Sequence, residues 1–252
     1  MSQSFSIQLG KFLYKNAFPL YNSLYPVFKR KQDARELELI GSIVKQGFNV
    51  LDIGANIGFY TEVLSKLAGP KGCVHAFEPE ATNFKYLLHN CEQFKNVKLI
   101  NKAVSNKTGP IKIYLSKMLN VDHRTYPVDD AAEVMEIDAT SIDDYLKMNN
   151  ISQIDFIKMD IQGFEMAALK GMEKTLKNNP EVKIITELWP YGLKKAGSSV
   201  FEIVDFANSE KFNIYLVTPN QLQLLTKEMV KELKEEEKSY YNIVLSKKNF
   251  KY

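Results

Sequence analysis

The stretch VLDIGANIGFYT, residues 50–61, decides the fold. Apolar residues lead into Asp52, and two glycines, Gly54 and Gly58, follow it with Asn56 between them. An ionised carboxylate at the end of a buried strand is costly unless it has a partner. Glycines allow a tight turn and let another group come close to the backbone. The stretch therefore predicts a buried strand that runs into a ligand-binding loop.

Strand-like and helix-like segments alternate outward from this stretch. FYTEVLSKLAG predicts a helix, GCVHAFEPE a strand, ATNFKYLLHNCEQF a helix and VKLINKAVS a third strand; the rhythm resumes at IDFIKMDI and runs to the last strand, YNIVLSKK. Such alternation predicts an α/β fold with a mostly parallel sheet and helices on both faces. Two strand-like runs, PIKIYLS (110–116) and EVMEIDATSI (133–142), interrupt it and are predicted to pair as an antiparallel β-ribbon.

The N-terminal part has a different composition. Residues 1–30 are rich in aromatic side chains, and Pro19 and Pro26 are expected to break them into short helices, while residues 33–46 have the apolar spacing of an amphipathic helix. We therefore divide the chain into a helical extension or cap, residues 1–47, and a main domain, residues 48–252. We favour helices packed on the domain, with a cap over a ligand pocket or a dimer contact as the alternatives.

Composition narrows the class of protein. The 252 residues carry 33 basic and 30 acidic side chains, a near balance that argues against a dedicated nucleic-acid binder. Cys73 and Cys91 have no metal-binding spacing and predict no disulfide framework, so a reducing, cytoplasmic compartment is expected. No apolar run reaches the length of a membrane span.

Acidic residues mark the ends of the predicted parallel strands. Asp52, Glu78, Asp160 and Glu187 each lie within or just after an apolar strand, at the sheet edge where open α/β sheets bind ligands. Glu78 follows Gly58 by 20 residues, the spacing at which an acid accepts hydrogen bonds from ribose hydroxyls. The ligand is therefore expected to be a nucleoside.

Asp52 indicates which nucleoside. A dinucleotide-binding loop reads G-x-G-x-x-G, whereas this loop has a carboxylate near the position of the pyrophosphate and lacks the third glycine. Negative charge repels phosphate and suits a cationic, phosphate-free ligand such as S-adenosylmethionine. A dehydrogenase, the alternative with the same fold, is disfavoured for the same reason, although the architecture alone does not decide between them.

At this point the chain resembles a known family. VLDIGANIGFYT together with FEPE is similar to class I S-adenosylmethionine-dependent methyltransferases. The ordered series VDHR, EIDATSIDDYL, IDFIKMDIQGFEMAALKG and IITELWP resembles the FkbM-type methyltransferases over residues 48–217. The resemblance implies a doubly wound, mostly parallel, seven-stranded Rossmann-like sheet.

The resemblance also implies roles for individual residues around the cofactor. The loop from Asp52 to Gly58 would line the methionine part, Glu78 would hold the ribose, Ala103 and Val104 would border the adenine, and Asp160 and Gln162 would face the sulfonium. The full expected cofactor set is Asp52, Gly54, Asn56, Gly58, Phe59, Tyr60, Thr61, Glu78, Pro79, Asn83, Ala103, Val104, Asp160 and Gln162.

Two alternatives remain for the chemistry at the acceptor. His123, in a long loop beside Arg124, is a candidate general base by its ordinary pKa, with Arg124 holding an acidic or sugar-like acceptor; a plain surface histidine is the other interpretation. Asp160 and Glu187 are the second catalytic candidates and, with an acceptor's neighbouring hydroxyls, would suit Mg²⁺, as in catechol O-methyltransferases. The metal ligands are otherwise unknown.

These features predict an O-methyltransferase that acts on a hydroxyl of a sugar, glycan precursor or small metabolite. The alternatives are methylation of RNA or protein, and a non-catalytic cofactor-binding scaffold. No nucleic-acid partner and no membrane span are expected, and homodimerisation is left open.

Overall fold

The computed structural model describes residues 3–116, 131–233 and 239–249. His123 and Arg124 lie outside the described residues. The chain begins with three helices, α1 (Gln3–Asn16), α2 (Phe18–Gln32) and α3 (Ala34–Ile43). The alternating part follows as β1 (Asn49–Ile53), α4 (Phe59–Ala68), β2 (Cys73–Phe77), α5 (Ala81–Cys91), β3 (Val97–Ile100), β4 (Ala103–Val104), β5 (Gly109–Ser116) and β6 (Ala131–Thr140).

The second half completes the sheet and its covering helices. Its elements are α6 (Ile142–Met148), β7 (Phe156–Met159), α7 (Glu165–Lys170), α8 (Glu173–Asn178), β8 (Lys183–Leu188), α9 (Pro190–Lys195), α10 (Val200–Ser209), β9 (Asn213–Val217), β10 (Leu222–Leu224), α11 (Lys227–Glu232) and β11 (Tyr241–Ser246). None of the described helices combines the length and the hydrophobicity that crossing a membrane requires.

The central sheet has the order β10-β9-β11-β8-β7-β1-β2-β3 among the described residues. The strands β3, β2, β1, β7 and β8 run parallel, and β11 pairs antiparallel with both β8 and β9. The seven expected strands are therefore present, and the short β10 adds an eighth strand at the edge. The chain order reverses between β1 and β7, so the carboxyl ends of these two strands form the switch point at which α/β sheets bind ligands.

A second sheet, β4-β6-β5, contains the predicted ribbon. β5 and β6 pair antiparallel, which confirms the ribbon, and β4 pairs parallel with β6. The prediction of a single strand over residues 97–105 is wrong, because this segment divides into β3 and β4. Asn101 explains the division, because its side-chain amide donates to the carbonyls of Glu78 and Pro79 and turns the chain there.

The prediction that Pro26 ends a short helix is also wrong. α2 continues through Pro26 to Gln32, although an internal proline costs a helix about 3 kcal/mol. Tyr21 and Tyr25 stack with ring centroids 5.1 Å apart, and Tyr25 meets the ring of Phe59 edge-on. These aromatic contacts hold the turn of the helix that leads into the proline.

Two apolar cores lie on opposite faces of the sheet. The larger core holds Leu51 and Ile53 of β1 with residues from α6 to α10, and the other holds Val50 with Leu39 and Ile40 of α3 and Leu64 of α4. Because side chains alternate along a strand, Asp52 shares a face with Val50. The face covered by α3 and α4 is therefore the one that becomes polar towards the carboxyl ends of the strands.

Candidate active site

Polar residues occupy the upper half of the sheet face that α3 and α4 cover. Val50, Phe156, Ile185 and Val244 form its buried apolar half. Two residues further towards the same edge stand Asp52, Lys158, Glu187 and Asn242, in adjacent strands whose registers pair Asp52 with Lys158 and Glu187 with Asn242. The alternation of the strands therefore brings these four side chains to one face, at the switch point.

Lys158 is the buried cation of this group. It is 3% exposed, and its Nζ lies 3.3 Å from Glu36 Oε1 of α3 and 4.9 Å from the centroid of the Tyr60 ring. Burial alone would lower its pKa, but the charges of Glu36, Asp160, Glu187 and Asp52 raise it above the usual range. Lys158 is therefore charged and offsets part of the negative charge of the carboxylates around it.

Asp52 is held by its own loop and helix. Its carboxylate is 2% exposed and accepts a 2.5 Å hydrogen bond from the Thr61 hydroxyl of α4. Burial raises the pKa of Asp52 to about 6, while the bond from Thr61 and the charge of Lys158 act in the opposite direction. The predicted cofactor residues Asp52 and Thr61 are thus joined directly.

The glycine loop is shaped by close backbone contacts. Gly54 has φ +86°, and a Cβ there would lie 2.0 Å from the carbonyl oxygen of Asp160. Gly58 has φ +98° as the N-cap of α4, and its Cβ would lie 2.8 Å from Cys91 Sγ. Asn56 adopts φ +52°. These contacts pack the loop against Asp160 and Cys91 at the carboxyl ends of β1 and β7, the edge at which open α/β sheets bind nucleoside ligands.

Glu78 lies at the end of β2, where its carboxylate accepts hydrogen bonds from two backbone N–H groups. Oε2 accepts from Asn56 at 2.9 Å and Oε1 from Glu80 at 3.0 Å. Burial raises the pKa of Glu78 to about 7, and these bonds, with one from the Asn83 side chain, act against that shift. Glu80 caps α5 by accepting from the amides of Thr82 and Asn83. The loop and the end of β2 are thereby fixed to each other.

Asp160 and Glu187 follow neighbouring parallel strands, as expected. Asp160 Oδ1 accepts a 2.9 Å bond from the side-chain amide of Gln162, which has φ +55°. Burial, and next to it the negative charge of Asp160, raise the pKa of Glu187 well above its ordinary value. Glu187 therefore takes up a proton more readily than an exposed glutamate does.

The other predicted cofactor residues are spread around this edge. Phe59 and Tyr60 meet edge-on at 5.1 Å in the first turn of α4, and the carbonyl of Pro79 accepts from Asn101. Ala103 and Val104 form β4 in the second sheet, and Val104 is part of the larger core. The structure leaves the cofactor roles of all these residues as expectations.

Two residues of the site were not predicted from the sequence. Each is a charged residue at a position where the pattern expects an apolar one. Lys158 interrupts the apolar run FIKM of a buried strand, and Glu36 falls on the apolar face of α3 with Ile40 and Ile43. Glu36 Oε2 also accepts from the side-chain amide of Asn242. A charged residue at a core position of a predicted strand or helix indicates such a buried pair.

The N-terminal helices contact the same edge. Tyr14 donates a 2.7 Å hydrogen bond to Asn83 Oδ1, and the Tyr60 hydroxyl donates a 2.7 Å bond to Asp33, which also pairs with Lys29 at 2.6 Å. A cavity of about 270 Å³ opens between α2, the glycine loop, α4 and α5. Its lining includes Gly58 and Phe59 and none of the acids at the strand ends, so the cavity borders the glycine loop from outside.

The described residues offer no metal centre. No group of three or more His, Cys, Asp and Glu side chains among them is arranged to hold a metal ion. Lys158 instead supplies the buried positive charge beside Asp160 and Glu187. The expected Mg²⁺ site finds no support in this part of the chain.

The strand order, with one antiparallel strand beside β8 and the switch point between β1 and β7, defines the class I methyltransferase fold. Residues 52–234 match the family model of the Methyltransferase FkbM domain. The chain belongs to the FkbM methyltransferase family, a group of S-adenosylmethionine-dependent methyltransferases.

The chain is also similar to individual proteins of known name or structure. The chain is 27% identical over 128 residues to hexuronic acid methyltransferase AglP from Haloferax volcanii, an alignment that spans 50% of this chain and about half, 51%, of that protein. It superposes on precorrin-6y C5,15-methyltransferase from Geobacter metallireducens with a TM-score of 0.50 at 14% identity, covering 86% and 89% of the two chains. Its superposition on a methyltransferase FkbM from Methylobacillus flagellatus covers 89% of this chain and 54% of that chain, at 18% identity and a TM-score of 0.48.

Proposed function

We propose that the protein transfers a methyl group from S-adenosylmethionine to a hydroxyl of a sugar or glycan precursor. The observation that carries this proposal is the position of Asp160 and Glu187 on the adjacent parallel strands β7 and β8, beside the glycine loop at the switch point. The similarity to a hexuronic acid methyltransferase supports the sugar as the acceptor class.

The residues present fit the cofactor. Glu78, at the end of β2, would accept from the ribose hydroxyls, the glycine loop would line the methionine part, and Asp52 with Asp160 would favour a cationic group. When bound, S-adenosylmethionine supplies a methyl group that its positive sulfur already activates. The chain then has to align the acceptor and take up its proton.

Asp160 and Glu187 are the residues that we assign to the acceptor hydroxyl. An ionised carboxylate of the pair accepts the hydroxyl proton, and alignment of the oxygen lowers the barrier further. Several carboxylates surround a single buried Lys158, so the site favours a neutral hydroxyl over an acceptor carboxylate as the reacting group. His123 remains the alternative base and Arg124 the alternative acceptor-holding residue, both outside the described residues. No step through Mg²⁺ is proposed.

Labelled methyl transfer tests the proposal. The purified protein is incubated with methyl-labelled S-adenosylmethionine and, separately, a uronic-acid-containing oligosaccharide, a neutral oligosaccharide, total RNA and a protein extract. We expect label in an oligosaccharide as an alkali-stable methyl ether. An alkali-labile product would identify a carboxylate acceptor, and label in RNA or protein alone would contradict the acceptor class.

Two variants separate binding from chemistry. Glu187→Gln keeps the shape of the side chain, so we expect S-adenosylmethionine affinity within about twofold of wild type and a rate reduced about 10²–10⁴-fold. Glu181→Gln, at an exposed carboxylate before the same strand, is the control and should leave both unchanged. Cofactor binding with no transfer to any acceptor would favour the non-catalytic scaffold.

A cytoplasmic location is part of the same proposal. Cys73 and Cys91 are both free thiols, which is the state expected in a reducing compartment.

A further inference from the structure

The outward side of α1 and α2 exposes an apolar surface. Its large side chains are between 47% and 70% exposed. They are Leu9, Phe12, Leu20, Leu24, Val27 and Phe28, which we call the outer face of α1–α2. Monomeric proteins rarely expose so many large apolar side chains to water, so the outer face is expected to contact a partner.

The spacing within α2 shows that the outer face is separate from the packing face. Leu20, Leu24, Val27 and Phe28 follow the i, i+4, i+7, i+8 pattern of a single helical stripe. On the other side of the helix, Phe18 stacks on Tyr86 of α5 with ring centroids 3.3 Å apart. The inner aromatic side chains hold α2 on the domain, and the outer stripe has no such role.

The positive charge of the N-terminal segment indicates the chemistry of the partner. Residues 1–32 carry five basic side chains, Lys11, Lys15, Lys29, Arg30 and Lys31, and no acidic one, whereas the remaining 28 basic and 30 acidic residues leave the rest of the chain slightly negative. Lys15, Arg30 and Lys31 are exposed. An apolar stripe flanked by basic residues is the pattern of helices that lie in the interface of an anionic membrane.

We propose that the outer face of α1–α2 docks on an anionic lipid bilayer surface, with α2 parallel to the membrane plane. A second copy of the chain is the less favourable partner, because a symmetric contact would bring the exposed Lys15, Arg30 and Lys31 of both copies together. The inner face of the same helices contacts Asn83 and Phe59, so docking would hold the candidate cofactor edge one helical layer from the lipid.

Vesicle flotation tests the docking and needs neither cofactor nor acceptor. The full chain is mixed with vesicles of phosphatidylcholine alone or with one third phosphatidylglycerol. We expect flotation only with the anionic vesicles, weakened by added salt. Arg30→Gln and Lys31→Gln should each lower the partition coefficient about fivefold, since each basic residue near such a surface contributes by about that factor.

Apolar variants complete the test. Leu24→Glu/Val27→Glu should lower the partition coefficient more than tenfold, because charges enter the lipid poorly. Met148→Glu/Phe201→Glu changes two exposed apolar residues elsewhere, 77% and 50% exposed, and should float like wild type. An unchanged midpoint of urea unfolding shows that each variant is folded.

Three results would overturn the docking. The first is the absence of flotation with anionic vesicles, and the second is equal flotation of wild type and Leu24→Glu/Val27→Glu. The third is a wild-type dimer in sedimentation equilibrium that is monomeric in this double variant. The last result would assign the outer face to a second copy of the chain. Failure of methyl transfer would bear on the proposed function and leave the docking standing.

Discussion

Gly54 shows how one backbone position ties the cofactor loop to the catalytic edge. Its φ of +86° already disfavours other residues, and its missing Cβ leaves room for the carbonyl of Asp160. A side chain there has to push β1 and β7 apart where the candidate site is built. The residue therefore couples the shape of the loop to the position of Asp160.

The variant Gly54→Ala tests this coupling, with Gly47→Ala as a matched control. Gly47 has nearly the same φ, +89°, but a Cβ added there would meet no atom within 4 Å, so its substitution reports backbone strain alone, about 1–2 kcal/mol. We expect Gly54→Ala to lose more unfolding free energy in urea than Gly47→Ala and to abolish S-adenosylmethionine binding in calorimetry. Equal losses of stability with retained binding would show that the contact with Asp160 is unimportant.

Glu78 gives the second prediction at the residue scale. Glu78→Gln removes the charge that would accept the ribose hydroxyls, so we expect cofactor affinity to fall about 10- to 100-fold. Glu92→Gln, at an exposed residue just after α5, should leave the affinity unchanged. Because the pKa of Glu78 is raised to about 7, wild-type affinity should weaken as the pH falls below 7, and the Gln variant should lack this dependence. A pH-independent wild-type affinity would contradict the role.

At the scale of elements, the pairing of α3 with the sheet could not be read from the sequence. The strand and helix alternation is a local pattern, so β1, β2, β7 and β8 and the ribbon were predictable. The contact between Glu36 and Lys158 joins segments that are far apart along the chain, and it exists only because β1 and β7 are neighbours below α3 and α4. Local periodicity carries no information of that kind.

The edge elements were missed for related reasons. β10 has three residues and pairs only with β9, so its apolar signal is too short to stand out. The turn between β3 and β4 depends on Asn101 reaching back to the end of β2, a tertiary contact that overrides the β-propensity of residues 97–105. The candidate acids, in contrast, were predictable because a carboxylate at the end of an apolar strand is visible in one short window.

A double-mutant experiment tests the ion pair between α3 and β7. Lys158→Met leaves Glu36 charged and buried without its cation, so we expect a loss of about 3–5 kcal/mol in unfolding free energy. Lys158→Met/Glu36→Leu replaces both charges by apolar groups and should recover most of that loss in urea unfolding. Additive losses from the two single changes would show that the residues do not interact.

The same double variant separates stability from function. Lys158 also lies in the field of Asp52, Asp160 and Glu187, and its removal takes away a buried countercharge of these acids. We therefore expect methyl transfer to remain impaired when stability has returned. Recovery of both together would assign Lys158 a purely structural role.

At the scale of the whole molecule, buried acids make the stability of the unliganded protein depend on pH. Burial raises the pKa of Asp52 to about 6 and the pKa values of Glu78 and Glu165 to about 7. In the unfolded chain these groups lose their protons near pH 4–4.5, so between that range and their folded pKa values the native state binds more protons. Stability therefore falls as the pH rises through this window.

His75 changes the stability in the opposite direction, over a lower pH range. It is buried beside the Tyr145 hydroxyl, and burial lowers its pKa to about 4, so the unfolded state binds the extra proton between pH 4 and 6.5. Above pH 6.5 this opposing contribution of His75 has ended, and the raised pKa values of the acids dominate. The thermal midpoint of the protein without cofactor should therefore fall between pH 6.5 and 7.5 in a scanning fluorimetry series. Glu165→Gln should flatten this fall, because Gln does not titrate, whereas Glu181→Gln at an exposed position should preserve it. A midpoint that rises over this range would show that the carboxyls ionise in the folded protein as they do in water, and the electrostatic basis of the candidate site would be wrong.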